Sequence, residues 1–504
     1  MAFQLFPAPS PTTSVNAPSR WPGANQESTE ALKNVLSDNH EKYHIFFDER
    51  GRHNHIAHHV VALWALGAPK AVLEAAYEEC QPIQRPRGNA PEPITKENFN
   101  DHLGDHQFYA GYLEFFEKVV RDQGAASALQ EYVFSPQANF QSKTKAGQVE
   151  NPEMLDRFLA AIMHPMIHIG YGLEFGLPGL IIEGLALTAA HRCASLIPRS
   201  LFEANTESLV SRVQNTLSLK SNPPKPQMHA FSILSRILRD PQFKLPKGSD
   251  LRAMYGHIVK ELRDALFKFV NDWAVDTSTP EGIQKAIEEV QFVCTLLYAV
   301  PGYREPESFN ADFLFMHFVT SALFLPTVIP VLPAPSQELL LRSYFAVILS
   351  WWIVLGRPNL DIPKFFSVDT AHPTNISGSN VSPADINPYA LPNTSSPFAS
   401  NPNPWTTIVS QALVHPDDHL IKLVRALVHY ANLYGTRSAG EQDFASTELD
   451  GADKIDGSLF IRTAGLTMKT ILEKRPSRDD PKEYVMYWDR EGYFTWSEKG
   501  VSVY

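Results

Sequence analysis

Cysteine is scarce: the 504 residues contain three, Cys80, Cys193 and Cys294, odd in number and far apart. That excludes a disulfide framework and a thiolate metal site, and it fits a reducing, cytoplasmic setting. Basic charge is short too, with 44 Lys and Arg against 55 Asp and Glu and a net charge of -11. With no positive surplus to neutralise phosphates, a nucleic-acid partner is not expected, which leaves a small molecule or a protein. Residues 1–10 lack a charged start followed by an apolar run, so no signal peptide is read there, and the sequons at Asn375, Asn380 and Asn393 are expected to be unused. The longest apolar run, 339–355, is too short for a membrane span and carries Arg342. Nucleotide-binding signals are missing as well. Gly170, Gly172 and Gly176 lack the spacing of a dinucleotide fingerprint, no strand-turn-helix unit surrounds them, and neither a Walker loop nor a His-Glu-x-x-His zinc motif occurs. No repeat of fixed period emerges, which argues against a solenoid.

What is present is helical period. Apolar segments of helix length recur at 28–36, 53–67, 101–123, 180–191, 311–320, 339–355, 415–430 and 458–472, separated by Pro-rich turns. The expected fold class is all-α: a large multi-helix globular fold, with two packed lobes because the chain exceeds the size of one ordinary core. Residues 1–26, rich in Pro, Ser, Thr and Asn, read as a flexible tail; 27–475 form the helical domain; 476–504 form an extension whose alternating pattern predicts a small β-hairpin. Within the domain, 357–404 is dense in Pro, Asn and Ser, the composition of a lid or a disordered loop.

Histidines mark the candidate chemistry. His164 and His168 lie four residues apart in an apolar segment, so a helix would place both rings on one face, as for two ligands to one metal. Pro165 predicts that the helix starts or kinks there. The competing reading is a pair of core histidines bonded to carbonyls. His55, His58 and His59 share one arc of about 100° on an apolar helix and line either a polar pocket or a solvated face. His317 stands alone in an apolar helix, where a satisfied core histidine is the ordinary finding. Glu183, in the middle of a buried helix, is expected either to hold a ligand histidine from behind or to pair with an arginine such as Arg192. Lys422, Arg425 and His429 share a narrow stripe that, on pattern alone, reads as solvent-facing. Trp351 and Trp352 are either core or a wall for a flat aromatic substrate.

Several phrases together resemble the fungal questin oxidase-like family: His53-Asn54-His55-Ile56-Ala57-His58-His59 with Ala65-Leu66-Gly67-Ala68, the stretch from His164 through Gly170-Tyr171-Gly172 to Glu174 and Phe175, Glu183-Gly184-Leu185-Ala186, and Asp418-His419-Leu420-Ile421-Lys422. The resemblance implies oxidative opening of a ring of an anthraquinone-type compound in fungal polyketide metabolism. It is described for the family in two ways, as an NADPH-requiring Baeyer-Villiger oxidation and as a non-haem iron dioxygenation with four histidines and a carboxylated lysine. Carried onto this sequence, it implies His164, His168, His317 and one of His55, His58 and His59, with His58 the choice, plus carboxylated Lys422. Fe(2+) and O2 follow as cofactor and co-substrate, with NADPH acting directly or through a separate reductase. Glu174, Glu183, His429, His55 and His59 stand as supporting or alternative ligands. A zinc hydrolase or lyase on the same histidines and a metal-free helical binding protein are the competing classes.

Overall fold

The structure is a computed structural model that describes residues 3–11, 17–140, 142–143, 149–203, 228–245, 250–304, 308–373, 386–474 and 486–490. Among these residues helices dominate, as expected. The strands are two short antiparallel pairs, Ser142–Lys143 with Val149–Glu150 and Tyr303–Arg304 with Ser308–Phe309. The C-terminal hairpin expected within 476–504 falls outside the described residues except for 486–490. The buried apolar side chains form one cluster running from Phe6 to Trp488, where length alone predicts two lobes.

Six helices position the site, and each follows from local chemistry. Helix α1 (Gln26–Lys42) opens on a reciprocal capping box between Asn25 and Ser28. Helix α2 (Ile56–Ala65) is wholly buried and apolar but for His58 and His59. Helix α3 (Met154–Phe175) is broken: Ala161, Ile162 and Met163 all have positive φ, at 51°, 55° and 67°. The break falls where the Pro165 ring would clash with the carbonyl of Ala161, four residues back. Helix α4 (Pro178–Ala190) starts on proline, α5 (Phe313–Ala322) is capped by Asp312, and α6 (Asp418–Tyr434) is capped by Asp417, whose carboxylate accepts from the amides of His419 and Leu420.

These helices pack as a closed ring. Helix α2 lies against α3 and α6, α5 lies against the same two, and α1 and α4 back α2 and α3 respectively. The glycines of the family-like phrases set the spacing. A Cβ at Gly172 would stand 2.8 Å from the Ile181 amide nitrogen, one at Gly184 would stand 3.0 Å from that of Ile169, and Gly170 admits the Phe324 ring. The Gly170-Tyr171-Gly172 phrase is therefore a packing device for α3 and α4.

Three expectations are corrected. The described part of 1–26 is pinned in place: the Ser10 amide donates to Phe175 O at 2.9 Å, the Gly179 amide to Leu5 O at 2.8 Å, and the Trp21 amide to Ala65 O at 3.0 Å. Leu5, Phe6 and Trp21 supply apolar anchors that the Pro- and Ser-rich composition obscured. In the 357–404 segment, residues up to 373 are anchored, with Arg462 donating to Val368 O and Thr370 Oγ1 and with Pro373 against Gly465. Residues 374–385 lie outside the described residues, while Tyr389 and Leu391 are exposed. Finally, 339–355 lies in a mostly buried helix as expected, but among the described residues the stretch long and apolar enough to cross a membrane is Phe313–Val331, 89% of whose apolar window is buried.

Candidate metal centre

The ring encloses a ladder of imidazoles between α2 and α3. His55 Nε2 stands 2.8 Å from His164 Nε2, and one helical step along, His58 Nε2 stands 2.9 Å from His168 Nδ1. Spacings of three on α2 and four on α3 put both members of each helix on the facing side. His317 of α5 closes the first rung, its ring 4.9 Å from that of His164. His419 of α6 lies 4.7 Å from the His55 ring and 5.1 Å from that of His317. His53 stacks on His164 at 4.1 Å.

Proton bookkeeping on the first rung is informative. His55 Nδ1 lies 2.8 Å from Asp418 Oδ2, His164 Nδ1 bonds the Ala161 carbonyl, and His317 Nδ1 lies 2.7 Å from the Phe313 carbonyl. Oxygens of these kinds only accept, so each Nδ1 carries the proton and each Nε2 a lone pair. The His55 and His164 lone pairs then face each other at contact distance, and His317 Nε2 is buried with no hydrogen-bond partner. Such an arrangement is repulsive unless a positive charge joins it. A shared proton is disfavoured. Burial first, then Lys422, takes His55 down to about 3 against the opposing pull of Asp418. Burial, then the neighbouring histidines, hold His164 and His317 well below the usual imidazole range. A metal cation fits. Three neutral Nε2 donors whose other nitrogens are fixed by oxygen acceptors is the arrangement in which imidazoles bind metals.

Asp418 ties the lysine to this rung. Its Oδ2 accepts from His55 Nδ1 and, at 3.0 Å, from Lys422 Nζ. Burial would raise its carboxyl, but His419, Lys422 and His55 outweigh burial and hold it well below the usual carboxylate range. Lys422, Arg425 and His429 are all buried, which corrects the solvent-facing reading of that stripe. Helix α6 packs against α2 and α5, and Arg425 of the stripe reaches Glu174 of α3, contacts that α6's own sequence does not display.

The second rung is different. His168 Nε2 lies 2.6 Å from Glu183 Oε2, and His40 Nδ1 lies 2.6 Å from Glu183 Oε1. Burial would raise the Glu183 carboxyl, yet the bonds from His168 and His40 bring it down to about 2. Glu183 thus holds a histidine from behind and does not pair with Arg192. With Nε2 donating to Glu183, His168 Nδ1 accepts from His58 Nε2, leaving His58 Nδ1 buried without a partner. His168 therefore has both nitrogens engaged, unlike His164, despite sharing its face. Ring nitrogens of His53, His55 and His164 lie within 4.8 Å of one another, as do donor atoms of His55, Asp418 and His419.

Other candidates are placed elsewhere. Glu174 is paired with Arg425, which also covers the Tyr171 and Phe175 rings. His59 turns toward Cys80, with Nδ1 3.9 Å from Sγ. The His429 ring lies 6.0 Å from that of Tyr430. Trp352 is buried and Trp351 packs on Tyr255. Residues that the sequence reading passed over are His40, His53, Asp418 and His419. Asp418 and His419 sit inside a quoted phrase, and an acidic residue four before Lys422 on one helix face was the available signal.

A family model described as Questin oxidase-like matches residues 52–427. Among curated proteins, the chain is 26% identical over 455 residues to the oxidoreductase AflY of Aspergillus parasiticus, covering 88% of this chain and 79% of that protein. It is 25% identical to the Baeyer-Villiger monooxygenase dmxR6 of Cryptosporiopsis sp., covering 89% and 90%. It is also 25% identical to a questin oxidase of Aspergillus terreus, covering 79% of each. The matched span includes α2 to α5 and the Asp418–Lys422 part of α6.

Proposed function

This chain belongs to the questin oxidase-like family, and we propose on that footing that it is an oxidoreductase opening a ring of an anthraquinone-type aromatic polyketide with dioxygen. We infer further that it works with a divalent metal, iron by preference, held by His55, His164 and His317 with help from Lys422. The observation that carries the reading is the pair of His55 and His164 Nε2 lone pairs facing each other at 2.8 Å in a buried rung, with the unpartnered Nε2 of His317 on the neighbouring ring. The names of the relatives, questin oxidase and Baeyer-Villiger monooxygenase, support the reaction class. Overall, one atom of dioxygen is inserted between the carbonyl carbon and the neighbouring ring carbon as their bond breaks, and the other leaves as water, with two electrons and two protons drawn from the reduced, electron-rich ring. NADPH enters through a reductase that prepares that substrate, in keeping with the absence of a dinucleotide fingerprint.

A bound iron would supply the one-electron chemistry that ground-state dioxygen requires, which zinc on the same nitrogens would not. The chain's own residues do the rest. Asp418 fixes the His55 tautomer and steers Lys422 toward the rung. Lys422 as an ammonium cannot coordinate; loss of one proton gives the neutral amine, and addition of carbon dioxide to Nζ with loss of a second proton gives a carbamate anion that can. The sequence His58, His168, Glu183, His40 is a hydrogen-bonded path from the interior to a cleft lined by Leu5, Phe6, Lys33, Ser37 and Glu41, suited to carrying a proton away from a substrate phenol.

The test is metal analysis of the purified protein joined to oxygen uptake on a reduced anthraquinone. Iron at about one per chain with oxygen consumption is expected, and His164→Ala or His317→Ala should lose both. Full metal occupancy in the His317→Ala protein would end the ligand assignment, and undiminished activity under anaerobic conditions would replace the oxygenase with a hydrolase or lyase.

A further inference from the structure

Beyond the span shared with the family, residues 486–490 lie across the starts of the two helices that face α2 and α3. Asp489 bridges to the α5 start in both directions: its amide donates to Ala311 O at 2.8 Å, and the Phe313 amide donates to Asp489 O at 2.7 Å. Asn310 Nδ2 donates to Asp489 Oδ2 at 2.6 Å, and the Arg490 guanidinium sits 4.4 Å from the Phe313 ring centre. At α6 the contact is made by Trp488, 2% exposed, whose indole N–H donates to Asp417 Oδ1 at 2.9 Å. That same oxygen accepts the His419 and Leu420 amides at 3.0 Å each, so the indole shares the cap of the helix that carries Asp418 and Lys422. The Trp488 ring also meets His419 edge-on at 6.3 Å, and His419 in turn meets Phe313 at 5.0 Å.

We infer that Trp488 is a positioning residue for the imidazole cluster, clamping the starts of α5 and α6 so that His317, Asp418 and Lys422 meet the α2–α3 ladder in register. Three features single it out. The indole bond goes to the capping carboxylate itself, so losing it loosens the first turn of α6, where Asp418 sits next to the cap. The adjoining Asp489 makes main-chain bonds to the segment from which Phe313, the carbonyl partner of His317 Nδ1, begins its helix. And His419, between them, has its Nδ1 3.1 Å from Asp418 Oδ1 and its Nε2 without a partner, with the rings of Trp488, Phe313, His55 and His317 packed around it. In a site whose donors come from four helices, the clamp joins the two that share no connection shorter than about a hundred residues with the others.

The inference rests on the metal reading above, and the test separates the two. Full-length Trp488→Ala and Trp488→Phe are compared with Trp273→Phe, a buried indole whose N–H bonds Glu289 at 2.8 Å in another part of the core. Each is titrated with Co2+ alone, following the visible ligand-field bands, and each metal-free protein is measured by amide hydrogen exchange. Trp488→Ala should bind Co2+ about tenfold more weakly with shifted bands, in the range expected for loss of a supporting group around a metal. Exchange should quicken in the first turns of α5 and α6 together, and Trp488→Phe, which keeps the ring and loses the N–H, should show the α6 effect alone. Trp273→Phe should leave bands and both helix starts unchanged. Unaltered Co2+ affinity and bands in Trp488→Ala would overturn the inference, as would equal effects from Trp273→Phe. If Trp488→Ala does not fold, Trp488→Phe decides: weaker Co2+ binding with faster exchange in the first turn of α6 supports the inference, and unaltered Co2+ affinity and exchange overturn it. Wild-type protein that binds no Co2+ would refute the metal reading instead, and the exchange comparison would still decide whether Trp488 clamps both helices.

Discussion

Asp418→Asn is the sharpest single perturbation of this site, because one carboxylate oxygen serves two cations-in-waiting. Asp418 Oδ2 lies 2.8 Å from His55 Nδ1 and 3.0 Å from Lys422 Nζ, and the aspartate side chain is only 20% exposed. With an effective dielectric of about 20, a unit charge pair at that separation is worth roughly 5 kcal/mol, and partial exposure lowers it. Breaking a pair of this kind by removing one charge costs about 3–5 kcal/mol. The carboxamide keeps one oxygen acceptor, so about 2–3 kcal/mol of unfolding free energy is the expected loss in metal-free protein. The effect on the metal is separate. An asparagine that turns its NH2 toward His55 forces the proton from Nδ1 to Nε2, deleting a lone pair from the first rung, and loss of such supporting groups weakens metal affinity by roughly 10–100-fold. Differential scanning calorimetry of the stripped protein reads the first quantity, and competition titration with a chelator reads the second. Unchanged metal affinity would refute the tautomer reasoning on which the ligand set stands, even if stability fell as expected.

Other consequences follow from the packing and the buried rings. Gly172→Ala places a methyl 2.8 Å from the Ile181 amide nitrogen, where backbone must give way; a loss of about 1–3 kcal/mol is expected by denaturant titration, and a neutral result would show that α3 and α4 slide freely. Burial lowers His44, with help from Arg85, and also His191 and His229, each to about 4 from an ordinary 6.5. A depressed folded-state value means the unfolded chain takes up the proton first, so stability is intact above about pH 6.5 and falls as the pH drops toward 4, by roughly 2 kcal/mol per histidine at pH 5. Melting curves that stay flat from pH 7 to 5 would contradict this. Limited proteolysis should cut first near Tyr389 and Leu391, the exposed part of the Pro- and Ser-rich segment; first cuts confined to other regions would count against a mobile cover there.

Much of the architecture was legible because helical period is a local property. The apolar repeat of 339–355 and the break at Pro165 needed no tertiary knowledge, and Ala334–Val354 and the kinked α3 are what the chain forms. The site was legible only in part. His164 with His168 announced a common face, and they do share one, yet the partners across the gap, His55 and His58, divide them into separate rungs. Spacing reports direction and says nothing of what waits opposite. The arc of His55, His58 and His59 likewise spans two neighbours, so His59 turns toward Cys80 while the other two meet α3. Lys422 looked solvated because charge on a helix stripe usually is, and only the approach of α2, α3 and α5 makes that stripe an interior. Asp418 entered the sequence reading as part of the phrase ending at Lys422; that it also serves His55 depends on a contact more than three hundred residues apart.

The left-handed turn at Ala161, Ile162 and Met163 carries a consequence for how this site tolerates change in its own chain. None of the three is glycine, and such backbone costs about 1–3 kcal/mol per residue, so Ala161→Gly should relax the turn and raise stability, whereas glycine at Met163, fully buried in the core, would lose packing that outweighs the gain. Length is another matter. His164 sits immediately after the turn, with its Nδ1 on the carbonyl of Ala161. Adding or deleting one residue between them would swing the ring about 100° around the helix axis and carry its Nε2 out of reach of His55. The segment before His164 is therefore freer in composition, at Ala161 above all, than in count, so related sequences should show substitutions there and no gaps.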